Sequence, residues 1–139
     1  MKLEFSKKKY LPLEMSTEKD TLIIYCLCAA WCRTCDAYVE VFDALNMAWS
    51  GKAKLVWVDI EDSADLLDDV DVANFPSLMV TGNENVYFFG PVLPQAAVAT
   101  QLIERALVGK IAPMEDAVLR ALNQRFISAN MNQYSVRSA

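Results

Sequence analysis

Every position from Thr21 to Cys28 is uncharged, and most are β-branched, aromatic or aliphatic. A run of that length and composition predicts a strand buried on both faces. From residue 32 the period changes. Tyr38, Val41, Phe42, Leu45 and Trp49 recur at steps of three and four, which predicts an amphipathic helix over 32–49, stopped by Gly51. Residues 53–60 predict a second buried strand. Residues 61–72 are acidic with apolar Leu66, Leu67 and Val70, which predicts a short helix broken at Asn74, Phe75 and Pro76. Strands follow at 77–81 and 86–89, joined across Gly82 to Asn85 as a hairpin. A helix over 95–108 carries Val98, Leu102, Ile103 and Ala106. After Gly109 a last helix is expected to begin near Pro113, since proline suits a first helical turn. Its apolar stripe would be Val118, Leu122, Phe126 and Ile127. The ends are polar: a short extended piece at 10–13 and a turn at 16–20 are expected at one, and fraying of 131–139 at the other.

This order of elements predicts an α/β fold, a central mixed sheet flanked by helices. Its first two strands, joined through a helix, should be parallel by a right-handed crossover, and the hairpin pair antiparallel. At 139 residues the chain suits one domain. A chain of that size buries roughly 68–70% of its unfolded surface, enough for a self-sufficient core. The expected organisation is an N-terminal segment over 1–20, the α/β domain over 21–108, and a C-terminal helical extension and tail over 109–139. The extension's stripe is expected to pack on its own domain, with dimerisation as the alternative; monomer or weak dimer is the corresponding expectation for the assembly.

Charge and composition narrow the chemistry. The net charge is −5, which disfavours nucleic acid and anionic membrane as partners because both need a basic face. No apolar stretch approaches the ~18 residues of a membrane span. The first ten residues are positively charged with no apolar run behind them, so a cytoplasmic location is expected. In a reducing compartment the four cysteines are expected to be reactive or buried thiols rather than structural bridges. There is no histidine, which removes imidazole-dependent triads and the commonest zinc ligand. Thiol exchange survives this cut.

The segment Trp31, Cys32, Arg33, Thr34, Cys35 comes directly after the first strand. Cys32 should land at a helix N-terminus, where unpaired backbone N–H groups and the positive end of the dipole favour an anion. A thiolate is the nucleophile of disulfide exchange. Cys35, one turn on, lies within reach to close a disulfide after Cys32 has attacked.

These residues carry a resemblance. The stretch from 21 to 108 resembles a thioredoxin-fold domain: a buried strand runs into Ala30, Trp31, Cys32 and Cys35; a second strand holds Leu55 to Asp59; a lone Pro76 stands between Phe75 and Ser77 before a strand; and Gly90 precedes the closing helix. The resemblance implies a thioredoxin-like fold with an extra C-terminal helix and a thiol–disulfide oxidoreductase acting on protein disulfides. It implies Cys32 and Cys35 as catalytic residues, Trp31, Phe75 and Pro76 as the substrate-binding surface, and a cis Phe75–Pro76 bond. No cofactor is implied; electrons would come from a reducing thiol protein or a small thiol.

The departures are specific. The Gly-Pro usual between the cysteines of thioredoxins is Arg33-Thr34 here. The buried aspartate six positions before the first cysteine is Cys26, and a lysine of the next strand is Trp57. Both groups that help deprotonate the resolving cysteine are therefore replaced. Alternatives stay open: a binding module or redox switch of the same fold with little turnover, or a thiol sensor. Cys26 and Cys28 share one strand face and read first as small buried hydrophobes, with a relay to the Cys32/Cys35 pair or a four-sulfur metal site as further readings. The acidic run from Asp59 to Asp71 reads as a solvated face, with a docking surface for a basic partner as the alternative. Tyr87, Phe88 and Phe89 read as strand core.

Arg33 adds a cation beside the attacking sulfur, and a better-stabilised thiolate accompanies a more oxidising couple. The Cys32/Cys35 couple is therefore expected to lie above the ~−270 mV of thioredoxin. Redox titration against glutathione checks this, and a potential at or below that value contradicts it.

Overall fold

The structure is a computed structural model and describes residues 22–131. The expectations for residues 1–20, and for the tail beyond Met131, lie outside the described residues. The elements are β1 (Leu22–Cys28), α1 (Arg33–Ala48), β2 (Ala53–Asp59), α2 (Ala64–Leu67), β3 (Ser77–Gly82), β4 (Asn85–Pro91), α3 (Ala96–Leu107) and α4 (Ala117–Ser128). The sheet order is β2-β1-β3-β4. β1 and β2 are parallel, whereas β1 with β3 and β3 with β4 are antiparallel. This is the mixed sheet the element order predicts.

β1 is central and its alternation divides the core. Leu22, Ile24, Cys26 and Cys28 join Leu55, Trp57, Leu78 and Val80 in one cluster, packed with Tyr38, Phe42 and Leu45 of α1 and Ala99 and Ile103 of α3. Tyr25 and Leu27 face the other way, with Val56, Val58, Met79 and Val86, against Leu119, Leu122 and Phe126 of α4. The Tyr25 and Phe126 rings sit 4.7 Å apart. The C-terminal helix thus covers a face of its own sheet.

The acidic segment forms less helix than its sequence predicts. Only Ala64–Leu67 is helical, and Asp68 leaves the helix at φ 54°. The Asp59 carboxylate accepts from Glu61 N–H at 2.9 Å and Asp62 N–H at 3.2 Å, folding the chain as a turn where helix was expected. α4 holds the short helix in place: Arg125 Nε donates to Leu66 O.

α4 itself begins later than expected. Pro113 precedes it, and the Asp116 carboxylate caps it by accepting from Val118 N–H at 3.0 Å and Leu119 N–H at 3.1 Å. That start rotates the buried stripe to Leu119, Leu122, Asn123 and Phe126, and leaves Val118 and Ile127 exposed. Met131, expected to fray, is buried in the second cluster. Gly90, expected after the last strand, pairs with Leu78 inside it. An irregularity opposite Val80 and Thr81 adds a residue to β4. Consecutive Tyr87 and Phe88 consequently both pack on the first cluster, while Phe89 packs on the second. Gly82 lets the Tyr87 ring pack close to the strand end, since a Cβ there would lie 3.0 Å from Tyr87 Cε2 and press the ring aside.

Phe126→Ala is expected to cost about 3–5 kcal/mol, the range for emptying a buried aromatic site. Val118→Ala should stay within about 0.5 kcal/mol. Urea denaturation of the two variants checks this assignment of the α4 face; equal losses contradict it.

Candidate functional site

The site grows from the four-residue connection between β1 and α1. Cys32 N–H donates to Ala29 O at 3.1 Å, closing a tight turn, and Asp36 N–H donates to Cys32 O at 3.1 Å, opening the helix. Cys32 is the N-cap, with φ −89° and ψ 120°, and its side chain makes no capping hydrogen bond. It is a free thiol, partly buried, at the positive end of a 16-residue helix. Arg33 and Thr34 are exposed on the first turn, and Cys35 points inward, fully buried.

A second loop meets this turn. The Phe75–Pro76 peptide is cis, as the resemblance implies. Ser77 Oγ donates to Asn74 O at 2.6 Å, folding the loop back, and Val92 N–H donates to Pro76 O at 3.0 Å. Trp31, 67% exposed, stands edge-on to Phe75 with ring centroids 5.5 Å apart. Since Trp31 adjoins Cys32 and Phe75 adjoins Pro76, this contact sets the two loops side by side. Cys32 and Phe75 also pack on the same core cluster. The surface beside the free thiol is therefore aromatic and accessible.

Below it lies an arrangement that the sequence reading did not find. Cys35 is bonded to Cys28, with Cα atoms 5.9 Å apart. Cys28 is thus not merely a small buried hydrophobe, as first read. It is the last residue of β1, facing α1, and the short turn brings the first inward position of the helix, Cys35, over it. The shared face of Cys26 and Cys28 was legible; the reach from the strand's end to the helix's first turn was the missing step. The bond also occupies two of the four sulfurs that a metal site would need.

Cys26 lies behind the bond, a free thiol with Sγ 3.8 Å from Cys28 Sγ. Burial pushes its ionisation well above the ordinary thiol value. Its neighbour in register on β2 is Trp57, which packs edge-on to Phe42 with centroids 5.6 Å apart. Cys26 and Trp57, at the places where thioredoxins carry aspartate and lysine, therefore meet across the parallel ladder as apolar packing. Tyr38, one turn after Cys35, is buried with no hydrogen-bond partner for its hydroxyl among the described residues. Burial, and secondarily the approach of Cys26, push its ionisation upward. Burial alone pushes Tyr25 up to about 12.

A helix N-cap thiol, a sulfur partner one turn on and a cis-proline loop on a β2-β1-β3-β4 sheet define a thioredoxin-fold site. The family model described as Thioredoxin matches residues 4–102. The chain belongs to the thioredoxin family. A curated relative, Thioredoxin C-2 of Corynebacterium nephridii, is 29% identical over 63 residues, 45% of this chain and 58% of that protein. Two solved structures share the fold. The germline-specific thioredoxin Deadhead of Drosophila melanogaster superposes with a TM-score of 0.57 at 18% identity, covering 66% of this chain and 86% of that one. A chloroplastic thioredoxin z gives a TM-score of 0.57 at 18% identity, covering 70% and 88%.

The buried hydroxyls and thiol give a signed pH dependence. Unfolded Cys26 ionises around its ordinary value of 9.0 and unfolded tyrosines around 10.0, while their folded counterparts stay protonated higher. Their contribution to stability is complete below about pH 9 and is lost as pH rises toward the folded values, at about 1.4 kcal/mol per pH unit per group. Urea midpoints of the reduced protein from pH 7 to 11 should fall above pH 9. Cys26→Ala should fall less steeply between 9 and 10; parallel curves contradict the assignment.

Proposed function

We propose that this protein is a thiol–disulfide oxidoreductase that acts on protein disulfides through Cys32 and Cys35. The observation that carries this reading is the accessible Cys32 thiol at the start of α1, one turn from a Cys35 that already forms a disulfide. With Cys35 reduced, the Cys32 thiolate attacks one sulfur of a substrate disulfide. The substrate S–S bond breaks, one substrate sulfur leaves as thiolate, and a mixed disulfide forms at Cys32. Cys35 then attacks Cys32 Sγ, releasing the second substrate thiol and closing Cys32–Cys35. Two electrons pass from the pair to the substrate. A reducing thiol protein or small thiol returns them, and no cofactor is required.

Trp31 and the half-buried Phe75 supply the surface on which an extended substrate segment rests, and the buried cis Pro76 beneath them shapes the loop that presents it. Arg33 and Thr34 set the local charge and stiffness of the first turn. With Cys26 and Trp57 in place of the aspartate and lysine, neither position supplies an acceptor for the Cys35 proton, so its removal falls to water, and turnover is slow or confined to few partners. The reaction suits the reducing cytoplasm, with the chain acting as a monomer or weak dimer.

A second reading, a binding module or redox switch with little turnover, is favoured by one observation: Cys35 is engaged with Cys28, which leaves Cys32 without its resolving partner. Reduction of insulin by dithiothreitol separates the two. The parent protein should accelerate it, and Cys32→Ser should return the rate to that of dithiothreitol alone. An inactive parent favours the module.

A further inference from the structure

We propose that Cys28 is a third redox-active cysteine, which exchanges with Cys32 for the sulfur of Cys35, so that the oxidised protein exists as two disulfide isomers. The inference rests on the oxidoreductase reading for its source of oxidising equivalents, and it adds a state in which the partly exposed Cys32 thiol is free. Three observations support it.

The first is the bond itself: Cys28 and Cys35 are joined at a Cα separation of 5.9 Å, inside the usual range for a disulfide of about 4.4–6.8 Å. The second is that Cys35 is common to both pairs. Cys32 is the N-cap of α1 and Cys35 its third helical residue. The Cys32 thiol makes no capping bond and starts the same helical turn that carries Cys35, the Cys-x-x-Cys spacing of thiol–disulfide exchange.

The third is the environment of the leaving sulfur. Cys28 and Cys35 are 1% and 0% exposed, which shields their bond from small thiols and leaves Cys32, partly exposed on the same turn, as the attacking group. Behind the bond, Cys26 Sγ lies 3.8 Å from Cys28 Sγ. With Cys28 bonded, only Cys26 carries a proton to donate across that contact. Burial keeps that proton on, so Cys26 stabilises the departing Cys28 sulfur and does not compete for Cys35.

The step balances without an outside oxidant. The Cys32 thiolate attacks Cys35 Sγ, the Cys28–Cys35 bond breaks, the Cys32–Cys35 bond forms, and Cys28 leaves as a thiolate that takes up a proton. The reverse step frees Cys32. The oxidising equivalents enter once, from the substrate disulfide. In the Cys28–Cys35 isomer Cys32 is a free, partly exposed thiol, and any mixed disulfide it makes persists because its resolving partner is engaged. In the Cys32–Cys35 isomer the Cys32 thiol is bonded.

Peptide mapping tests this. The protein is oxidised with glutathione disulfide, quenched in acid, labelled with N-ethylmaleimide and digested with trypsin. Cleavage after Lys19, Arg33 and Lys52 places Cys26, Cys28 and Cys32 on one peptide and Cys35 on the next. Cys32→Ser, a change at a partly exposed position, should still cross-link the two peptides, and Cys28→Ala/Cys32→Ser should not. In the wild type a fraction of the linked molecules should carry maleimide on Cys32. Cys28→Ala should also have a higher reduction potential than wild type, because it lacks one oxidised isomer; a tenfold preference for that isomer corresponds to about 30 mV. No cross-link in Cys32→Ser, or one that survives loss of Cys28, overturns the proposal. Because mapping needs no turnover, a cross-link in Cys32→Ser alongside an inactive parent sinks the oxidoreductase reading alone. Insulin reduction without the cross-link sinks only the role of Cys28.

Discussion

The burial of β1 on both faces is the constraint on which the site depends. Its even-numbered side chains pack under α1 and α3, and its odd-numbered ones under α4. That alternation fixes the register of the strand, because a slip by one residue would exchange the two sets. It also decides where the chain leaves the sheet: Cys28 ends β1 on the α1 face, and after a four-residue connection α1 begins above it. The thiol at the helix start, the sulfur one turn on and the strand-end sulfur are brought together by this one packing arrangement. The cis-proline loop is drawn in by the same sheet, since β3 pairs with β1 and the loop that precedes β3 must come up beside the turn after β1.

Replacing the usual buried charges by Cys26 and Trp57 changes what this arrangement does. A carboxylate beneath the resolving cysteine would be a proton acceptor, but it would have to be buried at a cost. A thiol and an indole in those places keep the interior apolar. Cys26 also sets a second sulfur within contact of Cys28. The chain thus has a thiol cluster where the resemblance to thioredoxins implies an aspartate.

Much of this was legible in the sequence because the signals were periodic. The uncharged run folded as the central strand over residues 22–28; the three- and four-residue steps from Tyr38 gave α1; the hairpin formed with a tighter turn than expected, Gly82 and Asn85 pairing as strand residues and β4 running on to Pro91. The misses came where side chains competed with the backbone or where a start point decided a face. Asp59 captured two N–H groups and turned a predicted helix into a turn with one helical stub. Asp116 capped α4 three residues beyond Pro113, which exchanged Val118 for Leu119 on the buried side. The Cys28–Cys35 bond was hidden for a different reason. Spacing along the chain shows which cysteines share a helix turn or a strand face, but not which strand end lies beneath which turn.

The central claim is that Cys32 is the attacking sulfur, and the most direct measurement is the intact mass of Cys35→Ser after incubation with insulin. With its resolving partner removed, the variant should accumulate a disulfide adduct that maps to Cys32 and is released by reductant, while Cys32→Ser/Cys35→Ser forms none. A Cys35→Ser protein that stays at its own mass, or an adduct mapping to any other cysteine, contradicts the account.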